Sequence, residues 1–146
     1  NIIAYNSSRC AEGEAIAEYV ELDELFARAD VISLHCPANE ATCGIINAES
    51  IARMKDGVII INNGRGALIR SADLAAALES GKVYAAGLDV LEQEPLSPAE
   101  PLLKAPHCYI TPHLSWLPKE SRQRIVDCTV ENVRSFIEGR PQNVVN

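Results

Sequence analysis

The sequence predicts an α/β fold built on a doubly wound parallel sheet. Short runs rich in isoleucine, valine, leucine and alanine recur at residues 2–5, 31–35, 57–61, 83–88 and 108–110. They are apolar on both faces, as strands buried between two helical layers are. Helical patterns separate most of them, and strands alternating with helices at this spacing build parallel βαβ units rather than hairpins.

The elements follow in order. Residues 12–19 and 22–28 carry helical patterns after the first strand. A helix over 49–54 follows the second, with Asn47 as its cap. Ser71 reads as the N-cap of a helix over 72–79, with Asp73 in its first turn and Gly81 closing it. Four prolines, at 95, 98, 101 and 106, turn residues 93–106 into a loop. The longest helix runs over 118–138, opened by Pro118 and stopped by Gly139 and Pro141. Its residues Ile125, Val126, Val130, Val133, Phe136 and Ile137 fit one apolar face. The tail from Asn143 to Asn146 is too short to fold alone and is expected to dock elsewhere.

Composition narrows the function. A length of 146 residues suffices for one domain with a real core, and 47% hydrophobic against 23% charged residues is ordinary for a globular protein. No apolar run approaches the ~18 residues of a membrane helix, which argues against a membrane partner. The net charge of -7, without any Lys/Arg cluster, argues against nucleic acid. The five cysteines show no metal-ligand or disulfide pattern. They point to reduced thiols, a cytoplasmic setting and no metal site. The chain starts inside a strand and reads like part of a longer polypeptide.

Chemistry concentrates where strands end. In a parallel sheet, residues just past the carboxyl ends of neighbouring strands converge on one crevice, and ligands bind there. Arg65 sits there, between two glycines in Asn62-Asn63-Gly64-Arg65-Gly66. Arginine grips a carboxylate with two parallel hydrogen bonds; the competing reading is a surface loop arginine. His113 follows Thr111-Pro112 and can exchange a proton near neutral pH. Glu94 starts the loop before the last strand; if it reaches the imidazole it orients the ring and favours its protonated form. Asp89 follows Gly87-Leu88, as an acceptor for an amide-bearing ligand or as a cap. His35, before Cys36 and Pro37, reads as structural, and His107 faces the opposite edge.

These residues together resemble the nucleotide-binding part of the D-isomer-specific 2-hydroxyacid dehydrogenases. The motifs are Leu34-His35-Cys36-Pro37 with Thr42 and Gly44, Met54-Lys55-Asp56-Gly57 leading to Asn62-Asn63-Gly64-Arg65-Gly66, Gly87-Leu88-Asp89-Val90, Glu94-Pro95 and Thr111-Pro112-His113. The stretch from Trp116 to Arg124 looks most like the glycerate dehydrogenases, also called hydroxypyruvate reductases. The resemblance implies a Rossmann-like domain over 1–117, with a helix and tail over 118–146 directed toward a substrate domain. It implies that Arg65 binds the substrate carboxylate and that His113 protonates the carbonyl with Glu94 in support. Asp89 would hold the nicotinamide carboxamide, while Cys36, Pro37, Thr42, Asn63, Gly64 and Ser115 line the cofactor channel. The substrate would be a small 2-oxo or 2-hydroxy acid such as hydroxypyruvate or glyoxylate. The protein would be a homo-oligomer, as a dimer.

The chain departs from the family pattern in two places. Where NAD-preferring members carry an Asp on the adenosine ribose, this chain reads Asn6-Ser7-Ser8-Arg9, which leaves NAD or NADP open. The first strand and the glycine-rich pyrophosphate loop would precede Ile2 and are missing from the 146 residues. The chain alone is therefore expected to be inactive. An NAD(H)-sensing corepressor-like protein and an inert remnant are the alternative readings.

Overall fold

The computed structural model describes residues 1–6 and 8–145. The chain divides into two compact units, Asn1–Pro112 and His113–Asn146.

The first unit opens with β1 (Ile3–Ala4), the short helix α1 (Ala11–Glu14) and β2 (Glu18–Tyr19). β1 and β2 pair in parallel as a sheet of their own. There follow α2 (Leu22–Arg28), β3 (Val31–Leu34), α3 (Ala48–Arg53), β4 (Val58–Asn62), α4 (Ser71–Glu79), β5 (Val83–Leu88) and β6 (Cys108–Ile110). Strands β3 to β6 form one parallel sheet in sequential order. This is the Rossmann-like α/β architecture that the alternation of strands and helices predicts.

Parallel crossovers are nearly always right-handed, so strands laid down in sequential order send their helices to the same face. Phe26, Ile51, Met54, Leu74 and Leu78 from α2, α3 and α4 accordingly share one core cluster with Ile32, Leu34, Val58, Ile60, Val83, Ala86 and Leu88. The other face is not covered in the same way. Val31 is 56% exposed, Tyr84 59% and Tyr109 68%.

Several local expectations hold and others shift. Asn47 caps α3 in a full capping box: its side chain accepts from the Ser50 amide, and the Ser50 hydroxyl accepts from the Asn47 amide. Gly57, Gly81 and Gly139 take positive φ, where the chain turns out of a helix or toward a strand. The helix expected over 12–19 breaks after Glu14, and Glu18–Tyr19 becomes a strand because its backbone finds β1. Ser71 is the first residue of α4 rather than its cap; Arg70 is the N-cap and its side chain makes no capping hydrogen bond.

The second unit is dominated by α5 (Lys119–Ile137), which begins after Pro118. The tail returns to this helix: Asn143 donates its side-chain amide to Asn132 Oδ1 at 2.8 Å, and also approaches Cys128 Sγ. No helix among the described residues is long and apolar enough to cross a membrane.

Candidate active site

The turn after β4 is shaped from inside. Asn62, the last residue of the strand, is fully buried. Its side-chain oxygen accepts from Gly64 N at 3.0 Å and its side-chain nitrogen donates to Arg65 O at 2.9 Å. One amide thus closes a four-residue turn at both ends, a role for which asparagine suits because its short side chain mimics the backbone. Asn63 and Arg65 are left exposed on this turn. The guanidinium makes a local bond from Nη1 to Gly64 O at 2.8 Å.

Beside this turn lies the segment that follows β5. Asp89 is buried; its amide donates to Asn62 O at 2.9 Å, and its carboxylate accepts from the Thr111 hydroxyl. Asp89 thereby links the carboxyl ends of β4, β5 and β6. Two residues further on, the backbones of Gly66 and Leu91 touch: a Cβ on Gly66 would sit 1.8 Å from Leu91 O. The Leu91 amide in turn donates to Glu94 Oε1 at 3.1 Å. Glu94 is exposed and joined to Pro95 by a cis peptide bond. Arg65 and Glu94 therefore flank the two sides of a single residue, Leu91.

A cleft of about 400 Å³ opens at this edge of the sheet, lined by His35, Cys36, Pro37, Ala38, Gly64 and Arg65. Cys36, Pro37, Gly64 and Arg65 meet here as the sequence motifs imply. His35 is exposed, with Nε2 at 2.8 Å from the Ser33 hydroxyl. The Thr42 hydroxyl is engaged locally: it donates to Pro37 O at 2.6 Å and accepts from the Asn39 amide, closing the loop that carries Cys36 and Pro37.

The nucleotide-discriminating candidates lie elsewhere in this unit. Asn6, Ser8 and Arg9 are exposed between β1 and α1, and Ser7 lies outside the described residues. Arg9 stacks over Tyr19 at 5.6 Å and reaches Glu21 at 3.4 Å. His113 and Ser115 belong to the second unit. His113 is exposed, with a φ of 55° that is uncommon outside glycine. Ser115 borders a groove with Trp116, Ser121 and Arg124.

Comparison with known proteins identifies the architecture. The family described as D-isomer specific 2-hydroxyacid dehydrogenase, NAD binding domain, matches residues 1–115. The chain belongs to this family. A hydroxypyruvate reductase from Blautia hydrogenotrophica is 60% identical over 128 residues, 88% of this dehydrogenase-family chain and 40% of that protein. The crystal structure of a glyoxylate reductase from Paecilomyes thermophila superposes with a TM-score of 0.89 at 42% identity, over 97% of the chain and 44% of that structure. An NAD-complexed D-isomer specific 2-hydroxyacid dehydrogenase from Lactobacillus delbrueckii ssp. bulgaricus gives 0.88 at 30% identity, over 99% and 48%. The chain spans less than half the length of these relatives.

The cleft suits part of a nicotinamide dinucleotide. It lies at the carboxyl edge of a parallel sheet, its volume is that of a small-molecule site, and Cys36, Pro37 and Ala38 give an apolar wall. Among the described residues no group of three or more His, Cys, Asp or Glu could hold a metal ion. Burial pushes the Cys108 thiol up to about 11, so it stays protonated and unreactive. Sequence reasoning missed Asn62 as a turn-former. The signal was present: an asparagine between four apolar residues and an Asn-Gly pair is a strand ending in a side-chain-closed turn.

Proposed function

We propose that the protein carrying these residues reduces small 2-oxo acids, of the hydroxypyruvate and glyoxylate type, to D-2-hydroxy acids with NADH or NADPH. The observation that carries this reading is Arg65, held exposed beside the cleft by the buried Asn62. A planar guanidinium in that position matches the carboxylate that every such substrate has. Family membership supplies the reaction class, and the names of the relatives supply the substrate class.

In this reading Arg65 pairs with the substrate carboxylate and draws electron density from the adjoining carbonyl. His113 gives its proton to the carbonyl oxygen, and Glu94 holds the imidazole in the donating orientation. Asp89 accepts from the carboxamide and so fixes the face of the nicotinamide that meets the substrate. When bound, the cofactor supplies the hydride; the chain supplies placement and charge. Backbone around Cys36, Pro37, Asn63 and Gly64 borders the cofactor, with Thr42 bracing the loop; Ser115 is a further cofactor-binding candidate.

Asn6, Ser8 and Arg9 stand where an Asp would hold the adenosine ribose, and this set is compatible with NADH or NADPH as the donor. The five unpaired thiols suit a reducing, cytoplasmic setting. The protein is read as a homo-oligomer, as a dimer. The test is reduction of hydroxypyruvate and glyoxylate by the protein carrying this chain, with each nicotinamide. Turnover should appear with at least one of the two nicotinamides, and Arg65→Ala should lower kcat/KM about 100-fold or more. Absence of 2-oxo acid reduction in the folded protein would refute the reading.

A further inference from the structure

Glu92 lies outside the residues assigned above, yet three loops of the crevice meet at it. Its carboxylate accepts from Arg70 Nη1 at 2.9 Å and from the Ser71 amide at 3.0 Å. α4 has no side-chain cap of its own, since Arg70 stands at the N-cap. Glu92, distant in sequence, supplies the missing acceptor and an anion at the helix N-terminus. The Ser71 amide and the Arg70 guanidinium together hold its carboxyl below the usual value of 4.5.

Arg70 in turn covers Gly44, where a Cβ would lie 2.8 Å from its Nε. The 42–46 loop is also stitched to the Arg65 turn through the backbone: Gly44 N donates to Ala67 O, Ile46 N to Leu68 O and Arg70 N to Ile46 O. One residue before Glu92, Leu91 touches Gly66 with its carbonyl and Glu94 with its amide. The pair Arg70–Glu92 therefore sits where the loops of Thr42, Arg65 and Glu94 join.

We infer that Glu92 is a positioning residue: by clasping Arg70 and the start of α4, it holds the loop of Glu94 against the turn of Arg65. The consequence for catalysis rests on the reading of Arg65 and Glu94 as parts of one reductase site. Release of the clasp leaves Gly66 and Leu91 in contact through backbone packing alone, and the two functional groups drift relative to each other. Misplacement on the scale of an ångström is enough to cost up to about 100-fold in rate.

The test uses Glu92→Ala and Glu92→Gln in the protein carrying this chain. The glutamine oxygen can still accept from Ser71 N, while its amide nitrogen cannot accept from Arg70, so it keeps the bond to α4 and gives up the ion pair. Amide hydrogen exchange at Leu68, Ile69 and Leu91 should speed about tenfold or more in Glu92→Ala, relative to amides of Val58–Asn62. kcat for hydroxypyruvate should fall about tenfold or more, with the KM for the nicotinamide unchanged, and Glu92→Gln should recover part of both. Unchanged exchange at those three amides overturns the clasp whatever the activity. Faster exchange with wild-type kcat overturns the positioning role and leaves Glu92 as a helix cap only. Faster exchange in a protein whose wild type reduces no 2-oxo acid upholds the clasp and fails the reductase reading instead.

Discussion

Asn62 illustrates why a buried polar residue can matter more to a site than the charged one it presents. Its amide is matched at both ends: the oxygen accepts from Gly64 N, and the nitrogen donates to Arg65 O, which also accepts from Leu68 N. Asn62→Ala should therefore lower stability by about 1–3 kcal/mol, the cost of leaving the Gly64 amide without its acceptor, and loosen the Arg65 turn as well. Denaturant unfolding gives the first effect; weaker binding of a 2-oxo acid analogue gives the second. Asn62→Asp keeps the oxygen that accepts from Gly64 N and loses the donor to Arg65 O, so an intermediate loss is expected. The sequence shows Arg65 readily because a guanidinium between two glycines after an apolar run is conspicuous. It shows Asn62 less readily because nothing local tells whether an asparagine points into the core or into water.

At the scale of elements, α3 and α4 solve the same problem differently. α3 closes its first turn with residues three apart, Asn47 and Ser50, a pattern visible along the chain. α4 relies on Glu92, 21 residues beyond Ser71, and such a partner cannot be read from local spacing; hence the expected Ser71 cap is displaced by one residue. The two caps also differ in pH response. Asn47 does not titrate, whereas the Glu92 carboxyl is lowered in the folded state. Its contribution is fully present above its ordinary value of 4.5 and is lost as pH falls through the lower folded value. Stability measured by chemical denaturation from pH 6 down to about 3 should fall less steeply in Glu92→Gln than in the wild type. Parallel slopes would show that the carboxylate adds nothing.

For the whole molecule, strand positions were the most legible feature. The limits at 83–88 and 108–110 match the structure, because continuous apolar runs bounded by glycine or proline leave few alternatives. β2 was not legible: it is two residues long and exists only because Ile3–Ala4 lies alongside. Val31, Tyr84 and Tyr109 are exposed on the sheet, and uncovered apolar sheet invites association. Sedimentation of the 146-residue chain at micromolar concentration should show dimers or larger species, and Tyr109→Lys should shift it toward monomer. A clean wild-type monomer would contradict this.

The contact between Gly66 and Leu91 bears on how such a protein can be recombined. It is made by backbone atoms alone, so a scheme that matches side chains across a crossover would find nothing to preserve there. A chimera joining the first 80 residues of this chain to the remainder of a relative keeps Arg65 and takes the 94 loop from the relative, so it brings together two loop conformations that were never fitted to each other. Only a glycine at 66 leaves room for the incoming carbonyl. The tolerable breakpoints therefore lie before 62 or after 94, and the segment between them is inherited as one block.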